Sequence, residues 1–302
     1  MNFKFVYSIG LVLLVAISAI LITQNVKTPE AEALNLSMDE RQHQELIFVL
    51  QYISRDYQNA VQDGSVINEF EYQEMMAFSQ RAIELYLSFR PNPNQNFILF
   101  QLQQLRELLH KKADRHSIQD VAKTLISDLA EELDIRTFPA QTPDIKHGKV
   151  KYKEGGCSVC HGEAGAGDGR AAAWLDPGPG SFRDPVIMNE ATPYEFFNMI
   201  RLGVAGTGMP SYEEAFSEQA IWDIAFYLMT LREDFEPKLI RSKQRVTLKE
   251  LATRTNVELL DEINEYHSSG ERIDEMKAKA NSTTVDFLRQ HPDALEESNS
   301  GF

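Results

Sequence analysis

Residues 156–162 read Gly156-Cys157-Ser158-Val159-Cys160-His161-Gly162, and the two cysteines in this run are the only ones in the chain. On a helix, positions i and i+3 share a face, so Cys157 and Cys160 can direct both sulfurs to one edge of a flat group. The next residue, His161, then offers an imidazole as a metal ligand. A redox dithiol or a disulfide would use the same C-x-x-C spacing. The dithiol would sit in a βαβ pattern that the neighbouring sequence lacks. Two thioether links and an axial nitrogen around one porphyrin are therefore the expected chemistry. The expected cofactor is one covalent haem c on Cys157, Cys160 and His161.

A second axial ligand must come from elsewhere. Met209 lies 48 residues beyond His161 in Gly206-Thr207-Gly208-Met209-Pro210. There, glycines let backbone approach a flat cofactor and proline fixes the exit. Met75, Met199 and Met229 fall in helical stripes and read as core filler, with Met188 a distant second to Met209. Histidine and thioether ligands together favour ferrous iron. With both axial positions filled, the expectation is outer-sphere electron transfer and not catalysis.

The run Cys157 to Gly162, then Gly165, Gly167-Asp168-Gly169, Leu175, Pro177, Pro179 and Phe182, then Gly203 and Gly206 to Pro210, resembles a class I cytochrome c domain. The resemblance covers about 145–235. It implies a fold whose first and last helices cross, here the helix with Gly148 and Tyr152 and the one with Trp222, Phe226 and Leu231. Arg170 stands where related domains often carry proline. The carbonyl that accepts the proximal histidine's other N–H is left to Pro177 or Pro179.

Outward from this centre, the rest reads as all-α. Ser37-Met-Asp-Glu40 fits a capping box, and Leu46, Val49, Leu50 and Ile53 repeat at helical spacing. Asp63-Gly64 breaks that helix and Asn68 opens the next, which Pro91 and Pro93 end. A third carries Phe97, Leu102, Leu105 and Leu109. A fourth is expected to start at Ser117-Ile-Gln-Asp120. Together these predict a four-helix bundle domain over 37–136. Thr137 to Asp144 reads as a Pro-containing linker, and 236–302 as a charged helical tail with helices near 248–265 and 271–290.

Residues 5–22 carry no charge, and eighteen residues at ~1.5 Å rise make about 27 Å, close to the bilayer hydrocarbon thickness. This predicts an N-terminal transmembrane anchor, or a signal segment, within 1–29. The domains would then lie on the periplasmic side of a bacterial inner membrane, or be soluble there after signal cleavage. Net charge is −15, which repels phosphate and argues against nucleic-acid partners.

The flanks resemble something narrower. Leu50-Gln-Tyr-Ile-Ser-Arg-Asp-Tyr57, Ala60-Val-Gln-Asp-Gly64 and Glu71-Tyr-Gln-Glu74 are similar to the periplasmic region of cytochrome-containing bacterial high-affinity iron permeases. The permease membrane domain itself does not appear in this sequence. That resemblance implies electron exchange coupled to iron uptake by a separate permease. Arg232-Glu-Asp-Phe-Glu236 spells the permease iron motif by letters only, in a soluble setting.

Two other readings stand beside it. One is a general respiratory shuttle with the bundle as docking module. The other is an iron-binding bundle using Glu45, Asp56, Glu71 and Glu74. His43, His110, His116, His267 and His291 are expected to be exposed, and the local basic cluster Lys146, Lys149, Lys151 and Lys153 reads first as a solvated helix face, with steering of an acidic redox partner as the alternative.

Overall fold

The computed structural model describes residues 38–90, 97–204, 206–237, 246–267 and 284–297. The expected anchor at 5–22, the cap at Ser37, Pro91 and Pro93, and 268–283 lie outside them. Among the described residues no helix is long and apolar enough to cross a membrane.

Four helices build the N-terminal unit: α1 (Met38–Ala60), α2 (Glu69–Phe89), α3 (Phe97–His110) and α4 (Arg115–Glu132). Helix α1 packs on α2 and α4, and α3 closes the square between the same two. Leu46, Leu50, Ile53, Met75, Leu85, Leu102, Leu109, Leu125 and Leu129 are buried along the facing stripes. Each such side chain contributes roughly 1.5–3 kcal/mol by leaving water. Buried hydroxyls are satisfied across the bundle: Tyr57 donates to the Ala113 carbonyl at 2.8 Å and Tyr72 to that of Leu109 at 3.2 Å.

The all-α expectation needs one correction. Between α1 and α2 runs a minimal antiparallel hairpin, β1 (Val61–Gln62) and β2 (Ser65–Val66). Asp63 and Gly64 have φ of 50° and 73°, the pair of positive values that a tight two-residue hairpin turn demands. Asn68 then caps α2, accepting from the backbone N–H groups of Phe70 and Glu71.

Helix α4 starts earlier than its Ser117 signal. Asp114 is the cap, and its carboxylate takes both the Ser117 N–H at 3.0 Å and the Ser117 hydroxyl at 2.5 Å. Two cap-competent residues stand three apart, and the carboxylate wins by accepting both donors.

The Thr137–Asp144 linker is laid down on the structure, with Thr137, Pro139 and Pro143 buried. Asp144 ends it by capping α5 (Ile145–Glu154) through Lys146 and His147 N–H groups. The cytochrome-like unit continues with α6 (Cys157–His161), a 3-10 turn (Ala172–Trp174), α7 (Pro185–Glu190), α8 (Pro193–Leu202) and α9 (Glu218–Met229). Helices α5 and α9 cross as expected, and the crossing is tight at Gly148. A Cβ there would lie 2.0 Å from the Asp223 carbonyl oxygen. Asp223 bolts the crossing by accepting the Asp144 N–H at 2.9 Å and pairing with His147 at 2.6 Å.

The tail is more ordered than its charge implies. Helices α10 (Leu248–Thr253) and α11 (Asn256–His267) pack on α8 and α7, and 284–290 is helical. The expected single helix over 248–265 is split where Arg254 leaves helical geometry and Thr255 begins a new cap. Arg232 and Asp286, each 2% exposed, meet in a two-fold contact of 2.9 Å.

Candidate haem site

The attachment turn α6 starts at Gly156, held in the left-handed region. Cys157 and Cys160 are free, half-buried thiols one helical turn apart. Burial pushes the Cys157 thiol up to about 11. The carbonyls at the end of so short a helix need donors, and the glycine-rich loop that follows supplies them. Gly167 N–H reaches His161 O at 2.9 Å, Gly169 reaches Cys160 O at 3.0 Å, and Ala171 reaches Val159 O at 2.9 Å. From the other side Tyr152 donates its hydroxyl to Gly162 O at 2.7 Å.

His161 is fixed at two points. Its ring stacks on Phe182 with centroids 4.7 Å apart, and its Nδ1 lies 3.3 Å from the Gly180 carbonyl. A carbonyl only accepts, so Nδ1 carries the proton and Nε2 keeps its lone pair. Burial lowers the imidazole's pKa, more than the Gly180 bond raises it, which favours the neutral ligand form. The acceptor was expected at Pro177 or Pro179. It is Gly180 because the Phe182 N–H bonds Gly165 O at 2.7 Å and so sets which carbonyl comes beside the ring.

The Met209 loop is stapled to the last turn of α8. Gly203, at φ 74°, ends that helix where a Cβ would fall within 2.8 Å of Met209 O and of the Ser211 nitrogen. Val204 N–H then donates to Met209 O at 3.1 Å, Ser211 Oγ to Arg201 O at 2.6 Å and Tyr212 N–H to Ile200 O at 3.0 Å. Two contacts bring this loop to the attachment turn and to the end of the 3-10 turn. Tyr212 donates its hydroxyl to Gly155 O at 3.0 Å, two residues before Cys157. Leu175 presses on Gly208, with its Cδ2 2.5 Å from where a Cβ would stand. Met209 is half-buried there, whereas Met188 is 1% exposed within α7 and belongs to the core, like Met75 and Met229.

Paired thiols one turn apart, an imidazole with one nitrogen engaged and the other open, and a thioether loop returning to the same turn form a donor set that fits a haem c.

Other sequence readings fare unevenly. Burial and the nearby Glu74 and Asp56 carboxylates raise the Glu71 pKa, but Glu45 pairs with Arg81 at 2.8 Å and Asp56 with Arg55 at 2.5 Å. Among the described residues no group of three His, Cys, Asp or Glu side chains is placed to hold a metal ion. The basic cluster is partly neutralised, Lys151 by Glu154 and Lys153 by Glu163. His110, His116 and His291 are exposed as expected, but His43 is half-buried with its ring 4.5 Å from Phe89. His267 has its side chain outside the described residues. Asn198 and Arg201, both buried, carried no signal as isolated polar letters in an aromatic helix. Arg232, the first letter of the coincidental permease motif, anchors the tail.

Comparison with known families agrees with this division. Residues 33–136 match the model of the iron permease-associated 4-helix bundle domain. Residues 145–232 match that of cytochrome c. No curated protein matches the whole sequence significantly. A chain of the reducing HAO-like protein complex of Kuenenia stuttgartiensis is similar at 26% identity, over 39% of this chain and 60% of that one, with a TM-score of 0.28. The chain thus joins a stretch that matches the iron permease-associated 4-helix bundle domain to one that matches cytochrome c, and the second supports a haem-binding electron carrier.

Proposed function

We propose that this is a mono-haem electron carrier of the bacterial periplasm, held to the inner membrane by residues 5–22, with His161 and Met209 as axial ligands and Cys157 and Cys160 as thioether attachments. A bound haem c supplies a one-electron ferric/ferrous centre. The chain's own residues do the rest. Gly180 holds the proton on Nδ1 of His161, so that Nε2 keeps its lone pair and would serve as the ligand, and Phe182 keeps the ring from turning. The bond from Tyr212 to Gly155 holds the Met209 loop against the attachment turn, and it is the observation that carries the axial assignment. With both axial positions occupied by protein, the reading is electron transfer without a substrate site.

The bundle domain gives the narrower half of the proposal: the work is associated with an iron permease, and electrons pass to or from iron during uptake. The axial assignment is tested with Met209→Ala, expected to keep covalent haem while losing the sulfur-to-iron charge-transfer band and the low-spin spectrum. An intact band in that variant would place the ligand elsewhere. Cys157→Ser should reduce the haem that stays bound on denaturing gels. The iron role is tested by ferrous-iron uptake in a strain lacking the gene, where unchanged uptake would refute it.

A further inference from the structure

One face of α1 lies against α8. Gln51 is 5% exposed and Asn198 fully buried, and the two amides meet at 2.8 Å. One turn further along α1, Arg55 donates to the Met199 sulfur at 3.0 Å while its own charge is balanced by Asp56. Near the other end of α1, Arg41 reaches Glu213 at 3.8 Å, and Glu213 also bonds the buried Arg201 at 3.4 Å. These three contacts from α1 span the chain's two domains, and all their cytochrome members fall on α8 or just beyond the Met209 loop.

That placement has a mechanical meaning. Helix α8 is the platform for the loop: Ile200 and Arg201 carbonyls hold Tyr212 and Ser211, and the Gly203 turn holds Met209 O through Val204. Asn198 and Met199 lie in the turn just before those anchor points. A helix of ten residues moves as a rod, so a shift at Asn198 is carried into the loop. Asn198 donates its Nδ2 to Gln51 Oε1, while its own buried Oδ1 has no hydrogen-bond partner. A buried amide left without its bond would cost more than the bond itself returns.

We infer that Gln51 and Arg55 of the bundle are positioning residues for the axial methionine. They act through Asn198 and Met199 to hold α8 where its loop presents Met209, so the bundle domain tunes the redox centre and does not merely tether it. This rests on the Met209 assignment above, and the test separates the two.

The experiment uses the full-length holoprotein and reads two quantities: the affinity of the ferric protein for added imidazole, which competes with a sulfur ligand, and the reduction potential. Gln51→Leu/Arg55→Leu is expected to bind imidazole about five- to tenfold more tightly, the size of one lost buried hydrogen bond, and to have a lower potential. Haem attachment and helix content should stay as in the wild type. The single changes Gln51→Asn and Asn198→Gln should each tighten imidazole binding. The exchanged pair Gln51→Asn/Asn198→Gln keeps the summed length of the bridge and should restore the wild-type affinity. The single variants also carry the test if the double leucine variant fails to fold. Wild-type imidazole affinity and potential in the folded single variants would overturn the inference. Absence of the sulfur-to-iron band in the wild type would overturn the Met209 assignment and this inference with it.

Discussion

Each of the fixing contacts around His161 has a different sequence visibility. The two cysteines and the histidine are legible because covalent attachment and proximal ligation require them side by side in the chain. The Gly180 acceptor is not, since every residue owns a carbonyl and only the Phe182–Gly165 bond decides which one arrives. His43 shows the same limit from the other direction: its polar neighbours in sequence suggest exposure, and only the fold brings Phe89 over its ring. Burial lowers the His43 pKa below its ordinary value near 6.5. The unfolded chain therefore takes up the proton at higher pH than the folded one, and this site costs stability as pH falls through about 6.5. His43→Phe should narrow the drop in melting temperature between about pH 7.5 and about pH 5.5. An unchanged drop would show that other groups govern acid sensitivity.

Elements were read well where periodicity was long and poorly where two signals competed. The stripes of α1 to α4 define a bundle whatever the loops do, whereas the start of α4 turned on Asp114 outbidding Ser117 for the same donors. The Asp63-Gly64 break was visible, but its hairpin needed the register Val61 to Val66. Helices α5 and α9 depend on one close approach. Gly148→Ala would drive a methyl into the Asp223 carbonyl, and overpacking of this kind costs about 3 kcal/mol or more. The expected outcome is a large fall in the urea midpoint. A second expectation concerns Asp223, 2% exposed and bonded to Asp144, His147 and Gln219. Asp223→Ala should loosen the same crossing and accelerate amide exchange in the first turn of α5. Protection equal to the wild type would mean the helices hold without it.

At the scale of the whole molecule, the tail is the part that composition misrepresents. A run rich in charge suggests a solvated extension, yet Arg232 and Asp286 are paired out of water, and fully buried Arg289 bonds Asn256 at 3.1 Å and the Arg254 carbonyl at 2.7 Å. Such pairs leave no trace in a sequence because their members stand 54 residues apart. Without Asp286, Arg232 keeps only the exposed Asp234 as a carboxylate partner, so the cost falls below the ~3–5 kcal/mol of a fully orphaned buried charge. Asp286→Ala should therefore release the tail, read as faster cleavage by a protease added at native conditions, with the haem spectrum unchanged. Equal cleavage rates in the two proteins would show that the tail is held by its apolar contacts alone. Lys123 of α4 also pairs with Glu258 of α11 at 2.5 Å, so bundle, cytochrome unit and tail meet pairwise.

The contact between Gln51 and Asn198 bridges 147 positions of the chain. The contacts that build the bundle join α1 to α4, all ahead of the cytochrome unit, and a chain emerging N-terminus first can settle that unit before residue 198 has emerged. The seam to α8 can close only once Asn198 has followed, and by then both thiols are already in the emerged chain. The order of the chain thus favours scaffold first, attachment turn second and the latch between them third, with the tail's contacts to α7 and α8 later still.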